Sequence, residues 1–174
     1  MKKKIIFIIG GARSGKSSFA VALANKISKN VSFIATCNPQ DREMKERVLN
    51  HKKIRPAKWK TIEEYYNLSL ALEKITSAKS VIIDCLTLWV SNLMMKKYKE
   101  KNIMEEANKI MESAKKINSS VIIVSTEVGS GIVPTNKIAR EFRDIMGRVH
   151  QTIAKKSDEV YLMTAGIPVK IKNK

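Results

Sequence analysis

A run of eight residues near the start of the chain, Gly10-Gly11-Ala12-Arg13-Ser14-Gly15-Lys16-Ser17, constrains what it can fold into more than any other segment. An apolar stretch, Ile5–Ile9, precedes it and an amphipathic helix-forming stretch follows, so GxxxxGK[ST] stands in the strand, loop, helix context it requires. The glycines let the backbone curl so that successive N–H groups point inward, at a helix N-terminus that already favours anions. In that setting Lys16 reaches the β- and γ-phosphates of a nucleotide, and the Ser17 hydroxyl helps to ligate Mg²⁺.

Short β-branched runs recur between helix-like stretches: Ile5–Ile9, Val31–Ala35, Ser80–Asp84, Ser120–Ser125 and Glu159–Met163. Helices are expected over Lys16–Ser28, Asp41–Asn50, Ile62–Ile75, Leu86–Tyr98, Ile103–Ile117 and Thr135–Lys156, with a loop around Lys52–Lys60. This alternation predicts an α/β fold of the P-loop NTPase type, a mostly parallel sheet flanked by helices. The alternating Val169-Lys170-Ile171-Lys172 predicts a solvent-facing edge strand at the C-terminus. With 174 residues and no Gly/Ser/Pro-rich linker, residues 1–174 are expected to form a single domain.

A formal charge of +17 attracts polyanions of any kind, but its distribution is uneven. Lysines are scattered along the chain, whereas the arginines (Arg13, Arg42, Arg47, Arg55, Arg140, Arg143, Arg148) fall in three stretches. Arg presents a planar fork suited to phosphate or carboxylate, so these stretches carry the specific part of the charge. Cys37 and Cys85 have no CxxC spacing and no His cluster, so neither a disulfide framework nor a zinc site is indicated, and a reducing, cytoplasmic setting fits. No stretch approaches the roughly 20 apolar residues of a membrane span.

A second acidic group is needed near a phosphate loop, and Ser80–Asp84 ends in one; Asp84 is either a magnesium partner or the cap of the helix that follows. On a helix from Asp41, Glu43, Arg47 and His51 share a face and lead into Lys52, Lys53, Ile54 and Arg55. A neutral imidazole among cations is a competent nucleophile toward phosphorus, because positive neighbours lower its pKa and draw phosphates in. A surface or capping histidine is the plainer alternative. His150 lies off the apolar stripe Ile138, Phe142, Ile145, Val149, Ile153 and reads as solvated or hydrogen-bonded. Glu127–Pro134 follows a strand and is either a binding loop or a simple connection.

Taken together, GGARSGKS, Ala35-Thr36, the DxEMxxRxxxHxxxRPxxW-type segment Asp41–Trp59, Thr61, Glu63, DCLTLWVSNL from Asp84, EVGSGIVP from Glu127 and REFRDxxGR from Arg140 resemble the bifunctional adenosylcobinamide kinase/adenosylcobinamide-phosphate guanylyltransferase family. The resemblance implies two reactions: phosphorylation of adenosylcobinamide by a nucleoside triphosphate, ATP or GTP, then transfer of GMP from GTP through a guanylylated histidine to give adenosylcobinamide-GDP. It maps that histidine onto His51, with Lys16 the second catalytic position. Nucleotide-binding positions fall on Gly10, Gly11, Ala12, Arg13, Ser14, Gly15, Lys16, Ser17, Ala35, Thr36, Cys37, Lys52, Lys53, Ile54, Arg55, Glu63 and Asp84, and Mg²⁺ on Ser17 and Asp84. It also implies a homotrimer acting on adenosylcobinamide and its phosphate; with 6% aromatics and no RNP-like or helix-turn-helix pattern, no nucleic-acid partner is expected. Thr126 and His150 stand where the family often has Asn, and Asp84 where many relatives have Glu. A single-function P-loop kinase without a covalent step is the rival reading.

Overall fold

The computed structural model describes residues 2–39, 41–53 and 55–173, and of Arg47, Asn50 and His51 the backbone alone. The elements run β1 (Ile5–Gly10), α1 (Lys16–Ile27), β2 (Val31–Ala35), α2 (Arg42–Lys53), β3 (Lys60–Glu63), α3 (Leu68–Glu73), β4 (Ser80–Asp84), α4 (Leu86–Met95), α5 (Glu100–Lys116), β5 (Ser120–Thr126), α6 (Lys137–Lys156), β6 (Glu159–Thr164) and β7 (Ile167–Asn173). The strands form one sheet in the order β3-β2-β4-β5-β1-β6-β7. Every neighbouring pair is parallel except β6 with β7, which is antiparallel.

Side chains alternate across this sheet into two cores. Phe7, Ile34, Val81, Ile83, Val121 and Ile123 pack against α3, α4, α5 and α6. Ile6, Ile8, Phe33, Ile82, Ile122 and Val124 pack against α1 and Trp59 on the other face. Burial on both sides is why these strands read as continuous apolar runs and not as alternating ones. Since all strands but β7 point the same way, Gly10, Ala35, Glu63, Asp84 and Thr126 are delivered to one edge of the sheet, where ligands of such folds bind.

Two expectations are corrected. Residues 62–75 are not one helix: Lys60–Glu63 is an edge strand paired with β2, and the helix is the short Leu68–Glu73. The expected loop at 52–60 also shrinks, because α2 continues through Lys53 and Lys60 already belongs to β3. Trp59 is buried in the second core, its backbone N–H bonded to the Pro56 carbonyl at 3.0 Å. In α6, Ile145, Val149 and Ile153 are buried as the stripe predicts and Phe142 packs against them, but Ile138 is exposed.

Candidate functional site

The loop after β1 takes the curled form its glycines allow. Gly15 (φ 89°) and Arg13 (φ 56°) are left-handed, and α1 begins with Phe19 N–H on the Gly15 carbonyl at 3.0 Å. Gly10 is required for a packing reason as well: a Cβ there would stand 2.4 Å from the Met163 carbonyl oxygen on β6. The β6–β7 turn braces the loop further, with Gly166 N–H on the Ser14 carbonyl at 3.2 Å. Ala12 and Gly11 lie exposed at the tip, Ser14 is buried, and Ser17 is half-buried in the first turn of α1.

Lys16 is buried and folds back over the loop, donating to the Gly11 carbonyl at 2.5 Å and lying 3.4 Å from Ser14 Oγ. Burial lowers its pKa from the ordinary lysine value, and the nearby Cys85 and Asp84 act against that shift. Asp84 ends β4, two strands from β1, with β5 between them. At about 4.8 Å per strand the two ends are about 10 Å apart, a gap suited to a hydrated cation or a phosphate group. The Cys85 thiol is pushed up to about 12 by burial and by Asp84, so it stays protonated and packs with the second core.

The neighbouring strand ends are tied to Asp84. Thr36, fully buried, donates from its amide to the Asp84 carbonyl at 3.2 Å and from Oγ1 to the Cys85 carbonyl at 2.7 Å. Its Oγ1 in turn accepts the Cys85 N–H at 2.7 Å. Cys37 is half-buried with its pKa raised by burial and by Asp84 and Asp41. Arg55 lies over the Phe33 ring, its Cζ 3.5 Å from the centroid, and its charge interacts with Asp84 and Glu63. Its Nη1 is buried without a hydrogen-bond partner among the described residues, a donor left for an incoming acceptor. Glu63 accepts from Lys52 Nζ at 3.2 Å and from the Tyr65 hydroxyl at 3.1 Å; these bonds hold its carboxyl below the usual range.

The structure therefore brings Lys16, Thr36, Cys37, Arg55, Glu63 and Asp84, with Ala35, to one edge, and draws Lys52 toward it. Lys53 is exposed on α2, beside a groove lined by Glu46, Leu49 and Lys52. The backbone at position 51 sits in the last turn of α2; the His51 side chain and all of Ile54 lie outside the described residues. Among the described residues, no group of three or more His, Cys, Asp or Glu side chains is arranged to hold a metal. The hydroxyl of Ser17 and the carboxylate of Asp84 are hard oxygen donors of the kind Mg²⁺ uses alongside phosphates and water.

Phe33 and Asn92 have no individual role in the sequence reading, whereas His150 is hydrogen-bonded as one of its two readings has it. Phe33 supplies the platform for Arg55. Asn92, buried in the otherwise apolar α4, donates to the carbonyls of Thr36 at 2.9 Å and Tyr65 at 3.2 Å. The signal for it was a lone amide on the face shared by Trp89 and Leu93. His150, half-buried against the Phe7 ring, is 2.8 Å through Nε2 from Ser125 Oγ, which is 3.1 Å from Thr87 Oγ1. Thr87 Oγ1 accepts the Thr126 N–H at 2.7 Å. Burial lowers His150 to about 4 against the opposing pull of Glu127, so it is a neutral, hydrogen-bonded residue.

Residues 6–171 match the family described as cobinamide kinase / cobinamide phosphate guanyltransferase (CobU). The chain belongs to that family. It is 37% identical to the bifunctional adenosylcobalamin biosynthesis protein CobP of Pseudomonas aeruginosa, covering 95% of each chain. It is 38% identical to the protein of the same description, CobU, of Salmonella typhimurium, covering 97% of this chain and 99% of that one. Among solved structures, it resembles a KaiC-like protein of Pyrococcus horikoshii (TM-score 0.52, 14% identity, 91% of this chain and 70% of that one). The RadB recombinase is similar (TM-score 0.53, 16% identity, 91% and 73%). At such identities these two likenesses speak for the fold alone. As a member of the CobU family the chain is an enzyme of cobalamin biosynthesis, a cobinamide kinase and guanylyltransferase.

Proposed function

We propose that the sheet edge holding Lys16, Asp84 and Arg55 performs both steps on adenosylcobinamide, phosphorylation of its terminal hydroxyl and guanylylation of the phosphate so formed. The observation that carries this is the convergence at one edge of a buried phosphate-loop lysine, a strand-end carboxylate and a buried arginine donor that has no partner among the described residues.

In the first step the loop amides of Gly10–Ser17 cradle the nucleotide phosphates, and Lys16 leaves its resting bond to Gly11 to neutralise charge as the γ-phosphoryl moves. Ser17 and Asp84 are the residues that would hold Mg²⁺, which when bound would offset the charge on the phosphates. In the second step the His51 imidazole attacks the α-phosphorus of GTP. The bond to the β-phosphate oxygen breaks and pyrophosphate departs. The phosphate oxygen of adenosylcobinamide phosphate then attacks the histidine-bound phosphorus, releasing the imidazole and giving adenosylcobinamide-GDP. Splitting one displacement between two anions into two steps is what the covalent route gains. Lys52 and Arg55 lie beside His51 in sequence and supply positive charge to the phosphates; Ala35, Thr36, Cys37, Lys53, Ile54 and Glu63 complete the nucleotide surface. Family resemblance also supports a homotrimer, a cytoplasmic location and both ATP and GTP as substrates.

The two steps separate by mutation. Lys16→Ala and Asp84→Asn are expected to lower kcat for phosphorylation of adenosylcobinamide by about 10²-fold or more, by the measure of a single lost charge-stabilising group. Supplied with adenosylcobinamide phosphate made beforehand, His51→Ala should form no adenosylcobinamide-GDP yet still phosphorylate adenosylcobinamide. Loss of both activities in His51→Ala at unchanged melting temperature contradicts the division of roles.

A further inference from the structure

The connection from β5 to α6, residues 127–136, departs directly from the phosphate loop: Glu127 N–H bonds to the Gly10 carbonyl at 2.9 Å. Its shape is built from within. The Glu127 carboxylate accepts the amides of Gly129 at 2.5 Å and Ser130 at 3.0 Å. A Cβ at position 129 would stand 2.8 Å from Glu127 Oε1, so a larger residue there would shift the carboxylate. From α6, Arg140 Nη1 donates to the carbonyls of Pro134 at 3.0 Å and Thr135 at 2.6 Å, and Arg143 Nη1 to Gly131 at 3.2 Å. This frame presents apolar side chains to solvent: Ile132 is 97% exposed, Val133 62% and Ile138, in the first turn of α6, 68%. A connection needing only to cross from strand to helix has no use for a braced apolar tip.

We infer that Ile132 and Val133, with Ile138 behind them, form the contact surface for the corrinoid ring of the acceptor. The inference rests on the kinase and guanylyltransferase reading. When the hydroxyl of the side arm is at the γ-phosphate, the macrocycle is too large to enter the phosphate loop and lies outside the sheet edge. Five residues from Glu127 to Ile132 span at most about 18 Å, so the tip stays within a side arm's reach of the phosphates. The surface is continuous with the nucleotide site through the Glu127–Gly10 bond, and the macrocycle is the reactant that brings hydrocarbon surface for exposed Ile and Val to cover. The nucleotide phosphates, bound by amides and cations, gain nothing from them.

The test uses the full chain carrying Ile132→Ser and Val133→Ser together, beside Ile132→Leu. The serine variant should raise KM for adenosylcobinamide at least tenfold, leave KM for the nucleotide within twofold, and accept GMP from GTP without corrinoid as the parent does. Its sedimentation coefficient should not move, and Ile132→Leu should keep the parent KM. An unchanged KM for adenosylcobinamide overturns the proposal. A change in assembly size in the serine variant also overturns it, and marks the tip as a contact between copies of the chain. Failure of the parent protein to phosphorylate adenosylcobinamide contradicts the functional reading beneath it.

Discussion

His150 shows how one buried side chain can organise three elements. Thr87 Oγ1 already accepts the Thr126 amide, so its own proton is free for Ser125, and the Ser125 proton for His150 Nε2. A chain ordered this way ends on an unprotonated Nε2, as in the neutral imidazole that burial favours by lowering the pKa to about 4. The unfolded chain binds this proton near pH 6.5 and the folded chain near 4, so stability is present in full above pH 6.5 and is lost as pH falls toward 4. Urea unfolding across that window should show a slope approaching about 1.4 kcal/mol per pH unit from this group. His150→Gln, which keeps a polar atom near the Nε2 position, should flatten it; an unchanged slope contradicts the assignment. At this scale the phosphate loop was fully legible, because its residue types are fixed by phosphate geometry. Phe33 and Asn92 were not, because each acts through a partner far away in sequence, Arg55 in one case and Thr36 in the other.

Edge elements were the hardest to read. β3 buries little and has one half-buried apolar residue, Ile62; it is a strand because β2 offers it a ladder, which no local pattern reports. The inner strands were legible because both faces are buried, and β7 because its alternation continues from Val169 to Ile171. β7 also gives a function to lysines that seemed only to solvate the surface. Lys172 Nζ donates to the carbonyls of Ala154, Lys155 and Ser157, closing the C-terminus of α6. Lys3 does the same for α5, at the carbonyls of Lys115 and Ile117. Those carbonyls have no partner within their own helix, and a cation there also meets the negative end of the helix dipole. Lys172→Met should cost about 1 kcal/mol in thermal or urea unfolding with kinase activity unchanged. A variant as stable as the parent contradicts the capping role.

For the whole molecule, the +17 charge divides into two populations. Lys3 and Lys172 secure helix ends at the edge opposite the phosphate loop, whereas Lys16, Lys52 and Arg55 gather with Asp84 and Glu63 at the loop edge. That gathering depends on the sheet order, which places β5 between β1, the strand that leads into the phosphate loop, and the aspartate-bearing β4, and so sets the width of the site. Order cannot be read from alternation alone, since the same strands and helices could be wound in several ways. Two chemistries on one chain is the central claim, and the covalent nucleotide distinguishes it from a simple kinase. Incubation with GTP and Mg²⁺, followed by intact-mass and peptide-mass measurement, should find a single GMP on His51. The adduct should be stable in base and labile in acid, absent in His51→Ala and retained in His150→Ala. Undiminished labelling of His51→Ala, or loss of the adduct in His150→Ala alone, would contradict the account.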